Sequence, residues 1–185
     1  MRDLLTGRNV RLTAIRDSDV EAIEAWFNDV QFLRSYDVVP AIPRQPTEVR
    51  KMLQGFSDSG ERIIFAIRAI ETDQIIGISG FDEIIWSNGA AALFIGIGDK
   101  RYIAKGFGRE SIRLLLDFGF NELNFYRIQL NVISYNGPAI RLYESLGFIK
   151  EGIFRKFIQR DGDRYDLYLY GLLKEEWQTL SRFYI

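Results

Sequence analysis

The sequence predicts an α/β (α+β) fold, a mixed sheet with helices packed on its faces. β-branched apolar runs alternate with stretches of helical spacing, and turn signals join pairs of these runs in both halves of the chain. No repeat, low-complexity tract or linker divides residues 1–185, so the expectation is a single domain. An apolar fraction of 47% over 185 residues is ample for its core.

The elements follow in order. "VRLTAI" alternates as a strand does, and "RDSDVEAIEAWFND" reads as a helix with Asp17, Ser18 or Asp19 placed to cap it. Residues 30–60 mix loop and helix, punctuated by Pro40, Pro43 and Pro46. "RIIFAIRAI" and "QIIGISGF", separated by the polar "ETDQ", predict a hairpin. "AALFIGI" is a further strand, and "SIRLLLDFGFNEL" has helical spacing through Ile112, Leu115 and Leu116. "RIQLNVIS" is a strand and "PAIRLYESL" a short helix, with Asn136 as N-cap, Pro138 in the first turn and Gly147 as terminator. "GIFRKFIQ", the turn signal "RDGD" and "RYDLYLYGLL" make a closing hairpin. The aromatic end "EEWQTLSRFYI" covers its own core or meets a second subunit, so monomer and homodimer both stand.

Composition narrows the chemistry. With no cysteine and no histidine, the chain has no disulfides, thiolate nucleophiles, imidazole bases or ordinary zinc ligand sets, and no metal is expected. Catalysis must draw on Tyr, Asp, Glu, Lys, Ser, backbone amides or water. The N-terminal stretch has no secretory apolar region, and no run approaches the roughly 20 apolar residues that cross a bilayer. The expectation is a cytoplasmic protein with no membrane partner. Residues 1–98 carry 10 Lys/Arg against 14 Asp/Glu, and residues 99–185 carry 14 against 11, so an acidic front precedes a mildly basic back. A pI near 5.6 and scattered basic residues argue against a nucleic-acid partner.

One segment stands apart. "IAKGFGRE", residues 103–110, sets two glycines around an aromatic just before a helix. It reads either as a tight turn or as an anion cradle, because amides at a helix N-terminus lack partners and the helix dipole favours negative charge there. Lys105 and Arg109 would add charge. It is neither a Walker loop, which needs Lys and Ser/Thr after its last glycine, nor a dinucleotide fingerprint, which needs a third glycine.

About thirty residues later, behind a strand, stands "NGPAIRLYESLGF". Together the two segments resemble the GCN5-related N-acetyltransferase (GNAT) superfamily, and within it the ribosomal-protein N-terminal acetyltransferase-like branch. "IAKGFG" matches the family's Q/R-x-x-G-x-G/A at Gly106 and Gly108. Asn136, Ala139, Leu142-Tyr143-Glu144 and Gly147-Phe148 match the motif that follows it. The likeness extends from "NVRLTAIRDSDVEAIEAWFND" to "GDRYDLYLYGLLKEEW", nearly the whole chain.

The resemblance implies a mixed, mostly antiparallel sheet with one splayed parallel pair of strands, here "ALFIGI" and "RIQLNVIS". It implies acetyl-CoA as donor, with pantetheine on the backbone of Ile95 and Ile97. The pyrophosphate would lie on the loop Ile103, Ala104, Lys105, Gly106, Phe107, Gly108 and Arg109. Asn136 either caps its helix or also bonds the cofactor. Tyr143 would give a proton to the departing thiolate, where the residues alone favour a core tyrosine on a short amphipathic helix. The activity implied is acetyl transfer to a primary amine by direct attack in a ternary complex. The amine would belong to a protein N-terminus, a polyamine, an aminoglycoside or another small molecule.

Two positions depart from the pattern. Ile103 stands where Gln or Arg is common, and Ala92 where many relatives carry an acidic residue. Asp82, Glu83 and Asp166 are the replacement candidates for a base, with a water chain or direct attack by the neutral fraction of the amine as the other routes, and Trp26, Phe32, Tyr36 and Trp86 are aromatics available to an acceptor pocket. The absent acidic residue also leaves open a non-catalytic acyl-CoA-binding or sensing domain.

Overall fold

The computed structural model describes residues 3–54 and 60–181. The strands are β1 (Val10–Thr13), β2 (Ile63–Ala69), β3 (Ile75–Ile85), β4 (Ala90–Ile97), β5 (Arg127–Ile133), β6 (Ile149–Arg160) and β7 (Asp163–Leu173). The helices are α1 (Val20–Asn28), α2 (Val30–Tyr36), α3 (Pro46–Gln54), α4 (Phe107–Asn121), α5 (Gly137–Ser145) and α6 (Lys174–Ser181). The strands form one sheet in the order β1-β2-β3-β4-β5-β7-β6, antiparallel at every step except between β4 and β5.

Strand periodicity sends alternate residues to two separate cores. Leu93 on β4 and Phe81 on β3 join Ile112, Leu115 and Phe120 of α4, Leu146 after α5 and Trp177 of α6. On the opposite face Ile78 joins Ile23 and Phe27 of α1, Leu33 of α2 and Val49 of α3. The sheet is thereby clad by α1–α3 on one side and α4–α6 on the other. Trp177 is 2% exposed and its indole donates to Asp117 Oδ1 at 3.0 Å, so α6 covers the protein's own core. The rest of the C-terminal stretch, residues 182–185, lies outside the described residues.

Both expected hairpins are present. β2 and β3 pair across a turn where Asp73 has φ 56°, and β6 and β7 pair across Asp161 and Gly162, at φ 53° and 87°. Two successive left-handed residues suit a tight hairpin with right-handed strand twist, and "DG" supplies them. The capping of α1 differs from expectation. A short 3-10 turn over Asp17–Asp19 precedes the helix, and no side chain caps its N-terminus in the usual way. Asp19 instead turns inward. Its carboxylate accepts the Arg16 amide at 2.7 Å and pairs with the Arg68 guanidinium, both side chains being almost wholly buried. Arg68 also donates to Thr13 Oγ1 and to the Asp73 carbonyl, each at 3.0 Å. Local sequence shows three acidic or hydroxyl residues before a helix; only β2 brings the arginine that recruits one of them.

A buried charge pair with its remaining donors satisfied is costly to break from one side, because the surviving charge is left without compensation. Asp19→Ala should therefore cost about 3 kcal/mol of unfolding free energy. The joint replacement of Asp19 and Arg68 by leucine and methionine should cost clearly less, as urea denaturation of the three proteins would show.

Candidate active site

β4 and β5 share only three rungs, Ala90/Arg127, Ala91/Ile128 and Ala92/Gln129. Beyond Ala92 the strands part. β4 stays on β3 as far as Ile97, and β5 stays on β7 as far as Ile133. A cavity of about 640 Å³ occupies the mouth of this fork. Phe32, Ser35 and Tyr36 wall it on one side, and Asn136, Ala139, Leu142 and Tyr143 on another. Its floor is Ile95, Gly96 and Ile97, and Tyr102 to Ala104, Gly106, Gly108 and Arg109 close its far end.

The glycine loop has a clear reason for its bareness. Asp99 accepts the Arg101 amide at 2.9 Å and starts a 3-10 turn over Lys100–Tyr102. The chain then passes through left-handed Ala104 (φ 59°) and Gly106 (φ 90°) before α4 begins. The first amide bonded within the helix is that of Glu110, to the Gly106 carbonyl at 3.0 Å. The amides of Phe107, Gly108 and Arg109 precede it in the first turn, where a helix has no acceptor of its own to offer. A Cβ at Gly106 would meet nothing within 4 Å, and one at Gly108 would meet only Ile97 and Leu142 at 3.7 and 3.9 Å. The protein's own packing does not exclude a side chain at Gly108; a side chain there would start between Ile97 and Leu142, which line the cavity with it. A phosphate group fits that space and that polarity.

The other side chains around the cavity fall differently from the sequence reading in several places. Lys105 is exposed, and neither it nor Phe107 lines the cavity; the Phe107 ring packs edge-on against Tyr102 at 4.9 Å. Arg109 reaches back to α5, where its guanidinium donates to the hydroxyl and carbonyl of Ser145. It braces the two helices. Asn136 caps α5 by accepting the Ala139 amide at 3.3 Å, and its amide nitrogen donates to the Ser35 carbonyl at 3.4 Å, tying α5 to α2. Tyr143 is 8% exposed, with its ring edge-on to Phe148 at 5.8 Å, and burial pushes its phenol up to about 12.

Of the four aromatics, Phe32 and Tyr36 line the cavity, stacked 5.1 Å apart. Burial raises the Tyr36 phenol well above its ordinary range. Trp26 packs against Gly98, where any Cβ would run into its ring. Trp86 lies outside the cavity, tilted on Phe125, and its indole donates to the Gly60 carbonyl at 2.6 Å. Gly96 is needed for the same reason as Gly98: a Cβ there would stand 2.7 Å from Tyr36 and 2.8 Å from Phe32. Ser35 and Tyr102 line the cavity from segments with no motif, and Arg141 lines it from within "NGPAIRLYESLGF" at a position that the family pattern does not mark.

The three carboxylates also separate. Asp166 accepts the Lys156 amide at 2.8 Å, and its own amide and carbonyl are bonded to Ser134, so it closes a bulge in the β6–β7 hairpin. Glu83 is exposed, at φ 51°, in the bulge between β3 and β4. Asp82 stands directly across from Ala92 and pairs with Arg62 at 2.7 Å. Among the described residues no group of three or more acidic side chains is placed to hold a metal ion, and no helix is long and apolar enough to cross a membrane.

Known proteins are similar to this chain in sequence and fold. The chain is 33% identical over 179 residues to the uncharacterized N-acetyltransferase p20 of Bacillus licheniformis, covering 96% of this chain and 99% of that one. It is likewise 33% identical to the N-acetyltransferase YokL from the SPbeta prophage of Bacillus subtilis, over 94% of each chain. The crystal structure of spermidine N-acetyltransferase from Vibrio cholerae in complex with CoA and spermine superposes with a TM-score of 0.83 at 24% identity, over 92% of this chain and 98% of that one. The family model for the acetyltransferase (GNAT) domain matches residues 12–169. With the forked sheet, the helix terminus facing the fork and the tyrosine beside it, the chain is a member of the GNAT superfamily of N-acetyltransferases.

Proposed function

We propose that the protein transfers the acetyl group of acetyl-CoA to a primary amine by direct attack in a ternary complex. The observation that carries this is the parting of β4 and β5 immediately beside a glycine-lined helix N-terminus. Strand edges that have left each other keep unused backbone donors and acceptors, and an extended chain bearing amides can pair with them as an added strand does. Pantetheine is such a chain. The backbone of Ile95 and Ile97 would hold it, and the amides of the first turn of α4 would hold the pyrophosphate. Gly106 and Gly108 let the phosphates approach closely. Asn136, with its side chain engaged on both sides, serves by fixing α5 against α2.

The reacting end then lies towards the fork, where Tyr143 enters from the α4–α5 side. A phenol held near a pKa of about 12 stays protonated across the physiological range and gives its proton to the sulfur as negative charge grows there. The amine must arrive from the side of Phe32 and Tyr36. Relatives named as spermidine acetyltransferases make polyamines the first acceptors to try, beside N-terminal peptides and aminoglycosides.

Three results are expected. Calorimetric titration of the wild type with acetyl-CoA should give micromolar binding, and thiol release should reveal an accepted amine from a panel. Gly108→Glu, which places a bulky anion before the helix terminus, should weaken acetyl-CoA binding at least about 100-fold, a loss of about 2.7 kcal/mol. Tyr143→Phe should lower turnover by about 100-fold with acetyl-CoA affinity within about threefold of wild type; unchanged turnover would remove Tyr143 from the reaction.

A further inference from the structure

The last rung before the fork is its most polar. Register places Asp82 of β3 opposite Ala92 of β4, and Ala92 opposite Gln129 of β5. Directly opposed residues on an antiparallel pair share a face, with Cβ atoms about 4.5–5.5 Å apart. The face is that of α1 and α2. Ala92, Phe94 and Gly96 alternate onto it, Tyr36 packs edge-on against Phe94, and the bare Cα of Gly96 lies against Tyr36 and Phe32. Tyr143 lies on the opposite side, in the core that holds Leu93, Ile95 and Ile97. The Tyr143 phenol and the Asp82 carboxylate thus stand on opposite faces of the sheet, Tyr143 lining the cavity and Asp82 one strand back from the last rung of the fork, outside the lining.

Asp82 is held there. Arg62 sits 2.7 Å from its Oδ1, and the guanidinium itself lies over the Phe94 ring, 4.7 Å from the centroid. The carboxylate keeps 34% exposure, enough for an amine to reach it. Burial raises its pKa and Arg62 opposes the rise, while Glu83, Asp37 and the Tyr36 phenol complete its charged and titratable surroundings on this side, with Arg44 paired to Asp37. Across the fork Gln129 accepts from Arg127, which is itself paired with Glu151. The side chain between Asp82 and Gln129 is only a methyl group. A substrate nitrogen lying over Ala92 would have the Asp82 carboxylate one strand away.

Resting on the acetyl-transfer reading, we infer that Asp82 is the general base of this enzyme, the carboxylate having moved one strand along the rung from position 92. Asp82 takes the proton of the attacking nitrogen as the C–N bond to the acetyl carbon forms. The C–S bond breaks, its electron pair stays on sulfur, and Tyr143 supplies the proton that makes the thiol. Solvent returns a proton to Tyr143 and removes one from Asp82. The other two carboxylates stand off this rung: Asp166 is bonded to the backbone of the hairpin, and Glu83 is exposed beyond Asp82 in the bulge.

The test compares wild type, Asp82→Asn and Asp82→Asn/Ala92→Glu, with thiol release followed against pH and acetyl-CoA binding measured separately. Asp82→Asn should turn over about 100-fold more slowly and lose the acid-side inflection of kcat/KM, with the acetyl-CoA Kd within about twofold of wild type. Ala92→Glu, restoring a carboxylate on the same rung, should recover at least about tenfold. Arg62→Gln combined with Asp82→Asn removes the pair together, so a stranded guanidinium does not account for the loss. Turnover of Asp82→Asn within about threefold of wild type, or a loss that leaves the inflection in place, overturns the assignment and leaves acetyl transfer standing. A wild type that binds acetyl-CoA and acetylates no amine overturns the transferase reading, and the base with it.

Discussion

The site depends on an interrupted ladder. A buried backbone amide or carbonyl without a partner is costly, so two adjacent strands separate only where something else meets their hydrogen-bonding needs or where solvent and ligand reach them. β4 and β5 are each secured on the far side, by β3 and β7, and can part beyond Ala92/Gln129 without losing the sheet. The site is the space this opens. The place of the cavity follows from where the ladder stops.

Both faces hold the fork open. On one, the aromatics of α1 and α2 press onto β4 because Gly96 and Gly98 have no side chains to keep them away, which brings Phe32 and Tyr36 to the cavity wall. On the other, α4 and α5 stand beside the gap, braced by Arg109 on Ser145. The two layers are tied across the mouth. Asn136 donates to the Ser35 carbonyl and the Tyr135 hydroxyl to the Arg34 carbonyl, so the end of α2 is fixed to the start of α5. From the hairpin, Asp161 pairs with Arg34 and the Arg160 guanidinium donates to the Val39 carbonyl at 2.8 Å. This side of the cavity is assembled from segments more than a hundred residues apart in sequence.

Two ionisable groups near the fork stand in contrasting surroundings. Tyr143 sits in an apolar core that raises its phenol, and Asp82 sits partly exposed beside the Arg62 guanidinium. Desolvation raises the pKa of both groups, and at Asp82 the Arg62 guanidinium opposes part of the rise. The buried Asp19–Arg68 pair is the contrasting case: its donors and acceptors are spent within the protein, so its role is to join β2 to the start of α1.

By itself the sequence determined the fold class, both hairpins, the helix after the glycine loop, the capping by Asn136 and the family. These are encoded locally, in periodicity, in "DG" and in the spacing of Gly106, Gly108 and the "NGPAIRLYESLGF" motif. Tertiary structure decided which polar groups face the fork. It turned Arg109 towards Ser145, took Asp19 from helix capping to Arg68, spent Asp166 on a bulge, brought Ser35 and Tyr102 to the cavity and set Asp82 across from Ala92. The reason is physical. Strand register and the partners met across a sheet are long-range properties, fixed by how separate segments bury their apolar faces together, and no stretch of chain carries them alone.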